Sequence, residues 1–190
     1  MHQFLSGCPP RDVGHGLSGT DIGTLNSDQV GAITTAQIAS LSTTQIQAIT
    51  SDQIAYISTG SIQALKTEQV AALTNTDQIA NLTSDQVEAL TAVQIRALTT
   101  DQVQNGLTAA QIADLTPSDI AEFKTDQVAA LTAAQIGAIT TDQASLITVA
   151  QIETITVAQL ASWNTDNNAV LTTEQIAALT TDQAAAMGLP

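Results

Sequence analysis

The chain has 190 residues, a formal net charge of −14 and a pI near 4.1, and its only cationic residues are Arg11, Lys66, Arg96 and Lys124. Affinity for nucleic acid and for anionic membrane surfaces rests on clustered Lys and Arg, so both are set aside as partners. Cys8 is alone, which removes an internal disulfide and a thiolate metal cluster, and no stretch is long and apolar enough for membrane insertion.

Hydrophobic residues make up 44% of the chain but aromatics only 2%, so the core must be built from Leu, Ile, Val and Ala in small portions. The first segment, residues 1–16, reads MHQFLSGCPPRDVGHG and fits nothing that follows. It lacks the basic and apolar regions of a signal peptide. If Met1 is the natural start, export needs another route or the protein stays inside the cell. The segment holds His2, Cys8 and His15, whose spacing matches no metal signature, and the Pro9-Pro10 pair. It is expected to be an N-terminal arm or cap, because the terminal units of a repeat array need covering.

From Leu17 to Ala186 the chain divides into 21 consecutive units, nineteen of eight residues and two of nine, the latter starting at Leu73 and Leu98. The consensus is Leu/Ile, Thr, x, x, Gln, Ile/Val, x, Ala. Position 2 is Ser, Thr or Asn in 19 units, the exceptions being Lys66 and Lys124, and position 5 is Gln in 17 once the extra residue of the Leu73 unit is allowed for. Residues 187–190 are left as a short C-terminal tail. A fixed period over nearly the whole chain marks a repeat architecture.

The phrase has a mechanical meaning. Ser/Thr-x-x-Gln is a capping box, in which the hydroxyl accepts from the N3 amide and the Gln reaches back to the N-cap amide. Positions 1 and 6 then become the two halves of a hydrophobic staple. Acids such as Asp28, Asp52, Asp101, Asp142 and Asp182 fall at position 4, in the first turn, where negative charge favours the helix dipole. Each unit therefore starts a helix, and the next start signal arrives before a second turn can finish. The pattern predicts an all-α solenoid of very short capped helices, one per unit. One continuous helix fails, because eight residues at 100° each rotate the apolar stripe by ~80° per unit. A β-solenoid with a turn inside each unit is the alternative, since Thr, Ile and Val suit strands.

The two nine-residue units start 25 residues apart, three units plus one residue, which suggests three helices per coil. The unit at 163–170, WNTDNNAV, has lost both Gln and Ile. It is either a decayed repeat or a place where Trp163, Asn167 and Asn168 form a lateral contact. Pro117 stands at N1 of its unit, a position that tolerates it.

A search for chemistry gives no catalytic, cofactor-binding or metal-binding residues. There is no histidine after His15 to serve a catalytic triad, and no Gly-rich phosphate loop. The recurring carboxylates would suit Ca²⁺ only as a ladder, and most units supply just one, while Ca²⁺ takes 6–8 oxygens. A hydroxyl array for ice or carbohydrate is weakened because the position-2 Thr is committed to capping and the others, Thr35, Thr43, Thr100 and Thr141, recur irregularly.

The phrases LTTAQIASL, LTSDQVEAL, LTAAQIGAI and LTTEQIAAL resemble tandem repeats of very large bacterial surface and secreted proteins of adhesin-like type. That resemblance covers residues 17–186 and implies a non-enzymatic spacer or fibre, extracellular or at the cell surface. LTPSDIAEF also resembles the first helix of a transcription-activator-like effector repeat, but the longer second half and base-reading residues of that family are absent. The expected partner is another copy of the chain, end to end or side by side. The alternative is a binding module using a hydroxyl-rich or acidic face.

Overall fold

The computed structural model describes residues 18–189, so the arm at 1–16 with His2, Cys8 and His15 lies outside the described residues. Among those described there is no strand, and short helices follow one another from Gly19 to Ala186. The α-helices are four residues long, as in Ser51–Ile54, to six, as in Thr67–Ala72. This is the all-α arrangement of short capped helices, and the β-solenoid alternative does not form.

The unit from Leu131 shows why. Thr132 is extended (φ −73°, ψ 162°) and caps the helix Ala133–Gly137. Its Oγ1 accepts from the Gln135 amide at 3.2 Å, and its own amide donates to Gln135 Oε1 at 2.7 Å. Leu131 and Ile136, the staple, are 4% and 0% exposed. The helix closes where the Ile139 amide donates back to the Ile136 carbonyl, and Thr140 is already extended for the next start. The two lysine units keep half of the box. A lysine side chain has no acceptor, yet the Lys66 and Lys124 amides still donate to Gln69 and Gln127 Oε1 at 2.8 and 2.7 Å.

Helices this short do not persist alone, because nucleation is costly and little propagation offsets it. Each is held by its third neighbour. The structure forms two compact units that divide between Ala97 and Leu98. In the first, the helix Thr67–Ala72 packs between Thr43–Gln47 and Ala92–Ala97. In the second, Ala133–Gly137 packs between Ala109–Asp114 and Val157–Leu160. Third-neighbour packing throughout both units makes three helices per coil, as the spacing of the long units suggested.

The extra residues are absorbed by widened turns. In the Leu73 unit the Thr74 amide reaches Gln78 Oε1 four residues on, and a 3₁₀ turn, Ile79–Asn81, replaces the α-helix. In the Leu98 unit the helix becomes a π-turn, Gln102–Gly106, pinned by Asn105 Nδ2 donating to Asp101 Oδ1 at 2.7 Å. Gly137 is needed for close approach, since a Cβ there would sit 2.7 Å from the Ser162 carbonyl oxygen one coil later. At the last helix, Thr181–Ala186, Gly188 (φ 74°) closes a Schellman motif, with Leu189 and Gly188 amides donating to the Ala184 and Ala185 carbonyls.

Candidate functional site

The polar residue that recurs inside the fold is glutamine. Gln69, Gln86, Gln94, Gln127, Gln135, Gln143 and Gln151 are all 1–2% exposed. A buried amide must find partners for both of its ends. Oε1 accepts from the N-cap amide of its own helix. Nε2 points down to the preceding coil and donates to two carbonyls there: the staple residue that ends one helix and the apolar residue that opens the next. Gln69 Nε2 reaches Ile38 O at 2.8 Å and Leu41 O at 2.7 Å. Gln143 reaches Ile112 O and Leu115 O, both at 2.7 Å. Gln86, Gln94, Gln135 and Gln151 repeat the pattern. The last carbonyls of a helix have no intrahelical partner. Here the glutamine of the next coil supplies it.

Sequence reasoning found the capping half of this role and missed the donor half. A signal was available: Glu closes a capping box as well as Gln does, yet Glu never stands at position 5, although acids are common at position 4. A carboxylate there would have no hydrogen to give and would bury charge against carbonyl dipoles. Gln is replaced in four units, by Asp21, Ser61, Asp119 and Asn167, and in two of them a donor remains. Ser61 Oγ donates to Ile33 O at 2.9 Å, and Asn167 Nδ2 to Ile139 O at 2.8 Å. Asp119 keeps only the capping half, its Oδ2 accepting from the Thr116 amide and hydroxyl.

The Trp163 unit is not a lateral contact. Trp163 is 6% exposed and Asn167 0%, so both face inward. Trp163 Nε1 donates to Asn168 Oδ1 at 2.9 Å, and Asn168 Nδ2 to Met187 O at 2.8 Å. Asn168 stands where other units have the staple, and its bridge holds buried Met187, the first residue of the tail, onto the fold.

Most of the carboxylates lie outside, Asp119 at 8% exposure being buried, and the exposed ones are grouped by face. In the first unit the stacked turns beginning near Ser27, Ser51 and Ile79 bring Asp28, Asp52 and Asp77 to one face, all exposed. In the second unit the stack from Thr125–Ala130 through Val149–Ile152 to Thr173–Ala177 carries exposed Asp126, Glu153 and Glu174. By contrast the helices Ala133–Gly137 and Val157–Leu160, which also stack, carry no charge. Among the described residues no three His, Cys, Asp or Glu are grouped as metal ligands, and no helix is long and apolar enough to cross a membrane. Asp21 is held below the ordinary carboxylate range by the Ser18 hydroxyl and then the Ser18 amide, both donating to it.

Residues 22–59 and 57–92 each match the ALTTAQ repeat family, so over that stretch the chain is similar to a known repeat, twice in tandem. The chain is a tandem-repeat protein. No curated protein matches it.

Proposed function

We propose that the protein is a non-enzymatic structural element, a spacer or filament subunit of a bacterial surface or extracellular assembly, whose partner is another copy of itself. The observation that carries this reading is the glutamine ladder. The recurring buried polar group of the fold serves to fasten coil to coil, while the acids are thinly spread, at most two in any unit.

The ladder also favours self-association. Gln29 and Gln37 have no acceptor for Nε2 among the described residues, although both close their capping boxes. Ile176 is a staple residue 40% exposed, against 0–4% for the Ile, Val and Leu staples before it. Donors on the first described coil and an apolar, carbonyl-bearing face on the last match the pairing already used between coils. Such a heterologous contact propagates without closing. The net charge of −14 opposes it at low ionic strength and is screened as salt rises.

Sedimentation across a salt series tests the proposal. Larger species should grow with salt in the native protein. Ile176→Glu should stay small at every salt concentration while keeping the native circular dichroism spectrum. A native chain that remains monomeric at high salt and high concentration would remove the self-association reading.

A further inference from the structure

We propose that the solenoid is an extensible element that lengthens under tension in coil-sized steps. The inference takes its purpose from the spacer reading, but the stepwise opening is a property of the fold and is tested separately from assembly.

Three observations carry it. First, the helices in substantial contact are third neighbours, so a coil is held by the coil before it and the coil after it. Stability in such an array is close to a sum of unit and nearest-neighbour terms, and opening need not spread through the whole. Second, the glutamine bonds that join coils reach back only 28–32 residues, as with Gln69 to Leu41 and Gln86 to Ile54, which is a little over one coil. Among the described residues no α-helix exceeds six residues, so no rigid element there crosses several coils and shares the load among them.

Third, the same glutamine performs both fastening tasks. Gln143 closes the capping box of its own helix through Oε1 and holds the preceding coil through Nε2. When tension draws the Nε2 end away, the side chain that caps the helix leaves its seat, and a helix of four residues without its cap has nothing to sustain it. A coil therefore comes away whole. The coil beneath loses the apolar cover and the donors on one face, where water replaces the hydrogen bonds, but keeps its own capping boxes and its packing on the coil below, which hold it folded. Once tension falls, the capping boxes re-form from local sequence, and the opened segment rewinds on the template below it.

The test is single-molecule extension of the full chain held by handles at its two termini. Release should come in increments of one or two coils. A coil of 24 or 25 residues gives about 80–90 Å of extended chain before the folded length is subtracted. Relaxation should recover the same increments. In Gln143→Glu, one step should move to lower force and the others stay in place. Should that variant fold poorly, the unaltered chain still decides the matter. Release of all the coils in one event, or in two halves, would overturn the proposal, and so would a Gln143→Glu change that lowers every step together.

Discussion

The unit from Leu131 and the unit from Trp163 occupy the same kind of place with almost no residues in common. The first has the full phrase, an α-helix at Ala133–Gly137, and Gln135 donating to both Val103 O and Leu107 O. The second has a 3₁₀ helix, Thr165–Val170, and Asn167 donating to Ile139 O alone. An asparagine is one methylene shorter than a glutamine and reaches one carbonyl rather than two. The fold survives the exchange because position 5 keeps an N–H aimed at the coil below, where Asp119 shows that the capping half alone also serves, and position 1 keeps an apolar mass, for which Trp163 serves as well as Leu131. Position 6 is freer than the consensus implies, since Asn168 replaces the staple by bridging Trp163 and Met187.

The sharpest way to test this ranking is to remove the staple where it is fully enclosed. Ile136→Ala should cost about 2–5 kcal/mol, the range for a buried large-to-small change, because Ile136 is 0% exposed. Ile176→Ala, at a site 40% open to water, should cost less than about 1 kcal/mol. Urea unfolding monitored by circular dichroism reads both. Similar losses would mean that Ile176 is covered in solution.

The donor requirement is tested next. Gln135→Glu replaces two donated hydrogen bonds by a carboxylate facing carbonyl oxygens, and should cost about 3 kcal/mol at neutral pH. Burial raises the folded-state pKa of such a carboxyl above its unfolded value of about 4.3. The folded form then holds the proton more tightly, so the variant should lie closest to the native protein below about pH 4 and lose stability as pH rises. Asn167→Asp should follow the same course with a smaller loss, having one carbonyl to offend. A flat pH response in Gln135→Glu would mean that the amide group is not needed as a donor.

These two experiments also mark what could be read from the chain and what could not. The helix starts were legible because capping is local: Thr132 and Gln135 are three residues apart and need no knowledge of the rest of the molecule. The staple was legible for the same reason. Three helices per coil could be suspected from the Leu73 and Leu98 units, whose extra residues are one coil apart. The ladder was not read, because Gln143 and Ile112 are 31 residues apart and only the packing brings them together. Its trace in the sequence is negative, the missing Glu at position 5, and a negative trace gains its meaning once the carbonyls opposite are known. The inward turn of Trp163 was hidden likewise, since its partner Asn168 takes its second bond from Met187 O, 19 residues on.

A smaller effect should separate capping from mere threonine content. Thr99 Oγ1 accepts from the Gln102 amide at 3.1 Å, while its neighbour Thr100 is exposed. Thr99→Ala should cost about 1 kcal/mol, the usual loss at an N-cap, and Thr100→Ala should stay within about 0.5 kcal/mol. Equal losses would place the register one residue away from where the hydrogen bonds put it.

The smallest expected effect lies at Asp21, which, like Asn167, stands in for Gln at position 5. It is exposed, and its Oδ2 accepts from the Ser18 amide at 2.8 Å and the Ser18 hydroxyl at 2.7 Å. The hydroxyl and then the amide favour the charged form and hold its pKa below the ordinary 3.8. A depressed carboxyl adds stability that is present above its unfolded value and disappears as pH falls through the folded one. The helix Gly19–Gly23 should therefore fray in acid, starting below about pH 4, before the glutamine-capped helices, whose amides do not titrate. Carboxyl-detected NMR titration should show Asp21 below the ordinary aspartate range in the native chain and part of the way back toward it in Ser18→Ala, which keeps the backbone donor and loses the hydroxyl. An unchanged midpoint in that variant would mean the hydroxyl does not hold the carboxylate.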